Sequence, residues 1–379
     1  MPNWIFFSIE FLVVSYALFT LALFALWSRI PSSTFTQSTL PPTISVIIPV
    51  RNEARHIGAL LKDLNHQSYD PQLFEVLIVD DDSSDQTPYI LDTFVKNSLI
   101  KLKVITLPPN SAISSPKKRA IQTAIKQATG ELIVTTDGDC RVGRDWLRSL
   151  AECFQSSQAK LISGPVTFVP EHSLADQLQT VEFSSLIGSG AASIAAGSPS
   201  LCNGANLAYE KKTFEMVGGF AGNEHLASGD DEFLMHKIAA RFPGSVKFLK
   251  DPRAIVRTVT HTSWRGFYRQ RKRWASKWKH YQNPVSVILA LYVFACNAVL
   301  IVALALGLVN YLTWNQVFVI LLTKWVPEWF FIGGVLTFLQ KPKSLLYIPL
   351  VQLIYPFYVT LFGLAVQKPT YIWKDRRLS

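Results

Sequence analysis

Four apolar runs constrain this chain more than any other feature. Residues 5–27 are predominantly apolar, carry no charge but Glu10, and are followed at once by Ser28, Arg29 and Pro31. That is the length of a bilayer-spanning helix, about 20 residues. Three further runs, at 285–308, 316–339 and 344–366, are each long enough to cross a bilayer. A chain with 49% hydrophobic residues arranged this way is not soluble throughout. A cleaved signal peptide is the rival reading of the first run, but the run lacks a basic segment before it and a small-x-small site after it. The expected organisation is a transmembrane anchor at 1–30, a soluble domain at 33–262, a basic aromatic segment at 263–283 and a membrane bundle at 284–379.

The net charge of +10 is unevenly placed. Between Arg253 and Lys279 stand nine Lys or Arg, and no Asp or Glu occurs from Pro252 to Pro327. Trp264, Phe267, Tyr268, Trp274, Trp278 and Tyr281 are interleaved with these cations. Beside a membrane span such a block suits anionic headgroups and the positive-inside rule better than nucleic acid. Cys140, Cys153, Cys202 and Cys296 form no CxxC pair and have no His at zinc-binding spacing, which fits a reducing, cytosolic setting. Lys324 and Glu328 flank Pro327 within an apolar run. Charges at membrane depth usually mark function, so a transporter or scaffold is one alternative class; a simple i,i+4 pair is the other explanation.

Between the spans, apolar β-branched runs at 43–50 and 74–79 alternate with segments at 54–64 and 86–95 whose apolar residues recur at helical spacing. A third strand at 103–107, a helix at 118–128 closed by Gly130, and a fourth strand at 131–135 continue the pattern. The fold class is therefore α/β with a mainly parallel sheet. In open sheets of this kind ligands bind outside the carboxyl ends of the strands. Polar groups stand there: Arg51, Asn52 and Glu53 after the first strand, Asp80 and Asp81 after the second, Asp137 and Asp139 after the fourth.

Gly138 between Asp137 and Asp139 lets the backbone turn and aim carboxylates at a hard cation such as magnesium or manganese, which commonly bridges to phosphate. Alone, such a DxD is more often a solvated turn. Asp230, Asp231 and Glu232 open a segment of helical spacing. Helix capping is the bland explanation for any one of them, and one can also act as general base on a hydroxyl. In Gln270-Arg271-Lys272-Arg273-Trp274 the bland reading is an interfacial helix; the planar fork of an Arg also suits a diphosphate, and the flat Trp suits a sugar ring.

The ordered set Asp80/Asp81, Asp137-x-Asp139, Asp231 and Gln270-x-x-Arg273-Trp274 resembles the D, DxD, D, QxxRW signature of membrane-associated family 2 glycosyltransferases. The stretches IIPVRNEA at 47–54, VDDDSSDQT at 79–87, GANLAYEKKTF at 204–214 and VGGF at 217–220 agree with it, so the resemblance covers 44–274. It implies a GT-A-type nucleotide-sugar-binding domain and an inverting transfer. Asp81 would accept from the nucleobase, with Pro49, Arg51, Glu53 and Asp80 along the nucleoside-binding edge. Asp137, Gly138 and Asp139 would hold the divalent cation, magnesium or manganese, and the donor diphosphate. Lys117 would lie near the donor, and Arg273 would neutralise the leaving diphosphate. Asp231, with Asp230 beside it, would serve as base, while Gln270 and Trp274 would line the acceptor.

The implied partners are a nucleotide-sugar, with a UDP-sugar expected, the bilayer, and a membrane lipid or lipid-linked glycan, with no nucleic acid. A processive synthase that extrudes a β-linked polysaccharide is the alternative; three spans after residue 284 favour lipid. Residues 176–200, with Leu178, Val181, Phe183, Leu186 and Ile187 before GSGAASIAAGSPS, read by themselves as a plain packing helix; beside the aromatic, basic segment 264–281 they are expected to form a lipid-facing entrance where, with Trp274, they receive a lipid-linked hydroxyl. Arg29 after the first span puts the catalytic domain in the cytoplasm, at the plasma (inner) membrane. The tail from Lys374 to Arg377 then falls outside if all three late runs cross, unless Pro349 and Pro356 mark a re-entrant segment.

Overall fold

The computed structural model describes residues 4–32, 40–109, 115–226, 228–275, 284–365, 371–373 and 376–378. Of the positions singled out above, Lys277, Trp278, Lys279, Tyr281 and Lys374 lie outside the described residues. In chain order the elements are α1 (Trp4–Arg29), β1 (Ile44–Val50), α2 (Ile57–Asn65), β2 (Phe74–Asp80), α3 (Thr87–Asn97), β3 (Lys101–Thr106), α4 (Pro116–Ile125) and β4 (Leu132–Thr135). There follow α5 (Trp146–Ser157), β5 (Leu161–Ser163), β6 (Val166–Val169), α6 (Leu174–Ala195), β7 (Leu207–Glu210), α7 (Lys211–Met216), α8 (Glu232–Arg241), β8 (Val246–Phe248) and β9 (Val256–Val259). The chain continues with α9 (Trp264–Ala275), α10 (Pro284–Leu308), α11 (Trp314–Phe338) and α12 (Ile348–Ala365).

These elements form two compact units: one of Met1–Arg29, Glu171–Ala192 and His261–Tyr371, the other of Ile30–Pro170, Ser193–Thr260 and Ile372–Ser379. The second is the α/β unit. Its seven-stranded sheet runs β3-β2-β1-β4-β7-β5-β8. The β1–β2, β2–β3, β1–β4 and β5–β8 pairs are parallel, and β7 is antiparallel to β4 and β5. The expected boundaries are met to within three residues, the usual fraying of helix and strand ends. Strand β1 is buried along nearly its whole length, as parallel strands covered on both faces are, which is why its sequence reads as an unbroken apolar run. Pro116 opens α4, where its missing N–H costs nothing. Around the sheet Ile47, Leu77, Val79, Ile121, Ile133, Leu161, Leu207, Leu234, Met235 and Ile238 make one core. Each such side chain, fully buried, stabilises by about 1.5–3 kcal/mol.

The strand order also fixes where a ligand can lie. The chain builds outward from β1 to β2 and β3, then returns to place β4 on the other side of β1. That reversal is a topological switch point, and the crevice of an open α/β sheet lies there, outside the carboxyl ends of β1 and β4.

Among the described residues the helical unit contains four helices long and apolar enough to cross a membrane: Trp4–Arg29, Val287–Leu308, Trp314–Phe338 and Pro342–Gly363, the last including the 3-10 turn that precedes α12. Helix α1 packs on α11 and α10 on α12. Ile9 and Val13 of α1 meet Leu300, Ala303, Val317 and Ile320 in a shared cluster. A capping box opens α11: Thr313 Oγ1 accepts from the Gln316 amide, and Gln316 Oε1 accepts from the Thr313 amide at 2.9 Å. Within this unit Lys324 and Glu328 do pair, Nζ to Oε1 at 2.6 Å, both buried. Tyr16 of α1 donates to the same Oε1 at 2.8 Å, and Gln352 of α12 donates to Oε2 at 3.3 Å. Their satisfied hydrogen bonds account for two charges in an apolar helix.

Helix α6 also belongs to the helical unit as far as Ala192. Val181, Phe183 and Ile187 are buried, and so are Gln177, Gln179, Thr180, Glu182 and Ser184. Leu178 and Leu186 of the same helix are half-buried, so part of its apolar side stays accessible.

Candidate active site

At the carboxyl end of β1, residues 51–54 interlock with the loop after β2. Arg51 Nη1 donates to the carbonyl oxygens of Asp81 and of Asp82, the latter at 2.7 Å. The Asn52 amide donates to Ser83 Oγ at 3.0 Å, and the Ser84 amide donates to Asn52 Oδ1 at 2.9 Å. The Glu53 amide donates to Thr87 Oγ1 and the Ala54 amide to Asp85 Oδ2. Asn52 and Asp82 both have positive φ, 53° and 59°, a conformation that Asn and Asp tolerate best among residues with a Cβ. Asp80 is buried, and its Oδ1 accepts from the amide and hydroxyl of Ser83. Asp80 and Arg51 thus shape the loop that presents Asp81, itself only 4% exposed. Pro49 lies opposite Val79 in the parallel register.

The turn after β4 reaches the same edge. A Cβ added at Gly138 would stand 2.9 Å from Val50 Cγ1 and 3.0 Å from Glu53 Cγ, so the DxD turn presses against the end of β1 and only glycine fits. Asp137 Oδ1 accepts from Lys117 Nζ at 2.7 Å, and the same ammonium lies 3.2 Å from Asp230 Oδ2. Lys118 points elsewhere, donating to the carbonyls of Asn223 and Leu226 at 2.7 and 2.9 Å. The two adjacent lysines therefore divide: Lys117 joins the acidic cluster, and Lys118 ties down the segment before α8.

Asp231 caps α8. Its Oδ1 accepts from the Glu232 amide at 2.8 Å and its Oδ2 from the Gly204 amide at 3.0 Å, so both oxygens are oriented by backbone. Gly204 lies close against the cluster: a Cβ there would stand 3.0 Å from Asp230 Oδ2 and 3.3 Å from Lys117 Nζ and would press on both side chains. Thr135 Oγ1 donates to the Gly204 carbonyl at 3.0 Å. The next residues are locked by Asn206, fully buried, which accepts from Trp146 Nε1 and donates to the carbonyls of Pro165 and Ala254. The stretch 204–206 is thus the internal brace of the cluster. The sequence signal for it was the GANLAYE stretch, to which residue roles had not been given.

Burial alone would lower the Lys117 pKa, but Asp137, Asp230 and Asp231 more than reverse this and raise it above the usual lysine value. Burial, reinforced by Asp139 and Asp137, raises the Cys140 thiol, which donates weakly to Asp139 Oδ1 at 3.7 Å. Tyr209 is pushed up by burial and then by Asp230.

Among the described residues no cluster of three or more His, Cys, Asp or Glu could hold a metal. The donor set Asp137 and Asp139 cannot form a closed protein cage. It fits magnesium or manganese, which take one or two carboxylates and complete their shell with water and substrate phosphate.

Gln270, Arg273 and Trp274 lie in the helical unit on α9. Gln270 Oε1 accepts from Arg271 Nη1. Trp274 packs against Phe183 of α6, ring centroids 5.9 Å apart. The His261 pKa is lowered, by burial first and then by Arg271 and Arg273. The contacts of His261, Arg271 and Glu182 join residues far apart in the chain and leave no mark in local sequence pattern.

The sequence matches the family described as "Glycosyl transferase family 2" over residues 45–217, and that described as "Glycosyl transferase family group 2" over 132–362. It is 32% identical over 131 residues to glycosyltransferase AglE of Haloferax volcanii, a match covering 35% of this chain and 41% of that protein. It is 32% identical over 127 residues to the beta-monoglucosyldiacylglycerol synthase of Synechocystis sp., covering 33% and 26%. A longer match, 26% identical over 239 residues, is to the poly-beta-1,6-N-acetyl-D-glucosamine synthase of Staphylococcus epidermidis, covering 61% and 53%. The chain thus spans about half or less of the curated relatives it matches. Among solved structures it resembles the mannosyltransferase PcManGT of Pyrobaculum calidifontis in complex with GDP-Man and Mn2+, with a TM-score of 0.60, 19% identity, and coverage of 93% of this chain and 99% of that one. That likeness bears on the fold, which is of the GT-A type.

Proposed function

Because the chain belongs to glycosyl transferase family 2, we propose that it is a membrane-embedded inverting glycosyltransferase that moves a sugar from a nucleotide diphosphate donor, expected to be a UDP-sugar, to a membrane lipid or lipid-linked glycan. The observation that carries the reading is the cluster at the sheet edge. Asp137 from the β4 turn, Lys117 from α4, and Asp230 and Asp231 at the start of α8 converge around the Gly204 backbone, at the switch point where a nucleotide is expected.

In this reading Asp81 receives the nucleobase, on a loop held by Arg51 and Asp80, with Pro49 and Glu53 on the same edge. Asp137 and Asp139 would hold a divalent cation against the donor diphosphate, which would supply positive charge for the leaving nucleotide. Lys117, already protonated among carboxylates, supplies a second positive charge for that diphosphate, and Arg273 a third. Asp231 removes the proton of the acceptor hydroxyl as it attacks from the face opposite the leaving group, so one displacement inverts the anomeric carbon. The two backbone amides on Asp231 hold its carboxylate in a single orientation for that transfer. Gln270 and Trp274 receive the acceptor.

A lipid acceptor is supported by the four apolar helices in the same chain and by the amphipathic α9, whose Trp264, Arg265 and Arg269 are exposed while Phe267 and Arg271 are buried. The apolar helices likewise support an integral membrane protein, with Arg29 setting the α/β unit in the cytoplasm. The second reading, a processive synthase, is favoured by the longer match to the poly-beta-1,6-N-acetyl-D-glucosamine synthase. Incubating detergent-purified protein with labelled UDP-glucose, UDP-GlcNAc, UDP-galactose or GDP-mannose and a lipid extract, then partitioning the products, separates the two. Label in the organic phase is the expected result. Label in a water-soluble polymer that lengthens with time would reject the lipid acceptor.

A further inference from the structure

Helix α9 carries a charged residue where its buried face should be apolar. Phe267, Arg271 and Trp274 are spaced i, i+4 and i+7 and share one face of the helix. Arg271 is only 3% exposed. Its guanidinium carbon lies 4.8 Å from the Phe267 ring centroid and 4.4 Å from that of Trp274, between the two aromatic residues of its own helix. All three donor nitrogens are used. Nε donates to Glu182 Oε1 at 3.0 Å, Nη2 to Glu182 Oε2, and Nη1 to Gln270 Oε1. Glu182, on α6, is buried as well and also accepts from Tyr358 of α12 at 3.0 Å. A single ion pair therefore joins α6, α9 and α12.

Well-packed apolar residues would hold three helices together at least as well as a buried ion pair, so stability alone does not explain this one. What a planar guanidinium adds is geometry. Its fork fixes the rotation of α9 about its axis, its third nitrogen fixes the Gln270 amide, and its face fixes the plane of the Trp274 ring. Phe183, one residue along α6 from Glu182, packs on Trp274 from another side. Gln179, on the same helix, accepts from the backbone amide of His261 and donates to its carbonyl, each at 3.0 Å. The side chains of Gln270 and Trp274 are thus set by a shell that α6 anchors.

We propose that Arg271 and Glu182 are positioning residues, which hold Gln270 and Trp274 in the orientation that receives the acceptor. The proposal rests on the reading of those two residues as acceptor-side groups. Neither Arg271 nor Glu182 touches the reacting atoms in it; both act through their neighbours.

The test uses the full chain, purified in detergent with 5-fluorotryptophan incorporated, with Trp274→Phe identifying the Trp274 fluorine resonance. Glu182→Gln, Arg271→Lys and the exchanged double variant Arg271→Glu/Glu182→Arg are compared with the unsubstituted protein. Two quantities are read: the Trp274 fluorine shift, and the ratio of label transferred into lipid to free sugar released into water from the donor panel above. Loss of fold would lower transfer and release together, whereas misplacement of the acceptor groups lowers the ratio. Glu182→Gln is expected to move the Trp274 resonance and to cut the ratio about tenfold to a hundredfold. Arg271→Lys, which keeps the charge and loses the fork, falls between. An unmoved resonance, or a moved resonance with the ratio intact, overturns the positioning role. If Trp274→Phe itself leaves the ratio unchanged, the acceptor reading of α9 falls and the proposal falls with it.

Discussion

Replacing Lys117 by Met should tighten metal binding while it weakens catalysis, two effects of opposite sign from one substitution. The ammonium lies 2.7 Å from Asp137 Oδ1 and 3.2 Å from Asp230 Oδ2. At an effective dielectric of about 20 those contacts are worth about 6 and about 5 kcal/mol before any correction. Asp137 is 38% exposed, so solvent screens much of the first; desolvation of the ammonium offsets part of both. A net of about 1–3 kcal/mol remains as the cost of drawing the lysine away from Asp137. A divalent ion that engages Asp137 has to meet that cost in the native protein and not in the variant. The apparent affinity for Mn2+ should then rise about tenfold to a hundredfold. Transfer should fall by about a hundredfold or more, since a charge placed to stabilise the leaving diphosphate is gone. Mn2+ binding is followed in the donor-free protein by loss of the free-ion electron paramagnetic resonance signal, and transfer with labelled donor under saturating metal. Affinity for Mn2+ that stays the same or drops would refute the argument that lysine and metal compete for Asp137.

Three other outcomes are expected. Excess chelator, or Asp139→Ala, should abolish transfer, because two carboxylates beside a diphosphate repel it without a cation between them; undiminished turnover in either would reject the assignment. Asp231→Asn should lower transfer by about a hundredfold to ten-thousandfold with donor binding retained, since the amide oxygen can still accept one of the two backbone amides; a variant keeping a tenth of the activity would point to Asp230 as the base. The lowered pKa of His261 means that the unfolded chain takes up this proton before the folded one does. Its contribution to stability is therefore complete above the unfolded value of about 6.5 and is lost as pH falls through the lower folded value, when an imidazolium would stand near Arg271 and Arg273. Thermal unfolding measured from pH 7.5 to 5 should show a steeper acid decline for the unsubstituted protein than for His261→Gln, and parallel curves would exclude this origin.

Several features were legible in the sequence because they depend on local pattern. Apolar run length fixes which segments can form spans, and the alternation of β-branched runs with helical periodicity fixes an α/β unit with polar groups at strand ends. Those two regularities, with the ordered acidic motifs, were enough to anticipate the sheet and to single out Asp80, Asp81, Asp137, Asp139, Asp230 and Asp231. Local pattern says nothing about contacts between residues far apart in the chain, and the remaining features lie there. That Lys117 and not Lys118 enters the acidic cluster depends on where α4 meets the start of α8, more than a hundred residues later. Gly204 was one small residue in a motif until packing set it against Asp230 and Asp231. The apolar residues of α6 are visible in sequence, whereas the partners that enclose Glu182, from α9 and α12, are not. A buried charge is stable only where another part of the chain brings its counter-charge, and that meeting is decided by the tertiary fold.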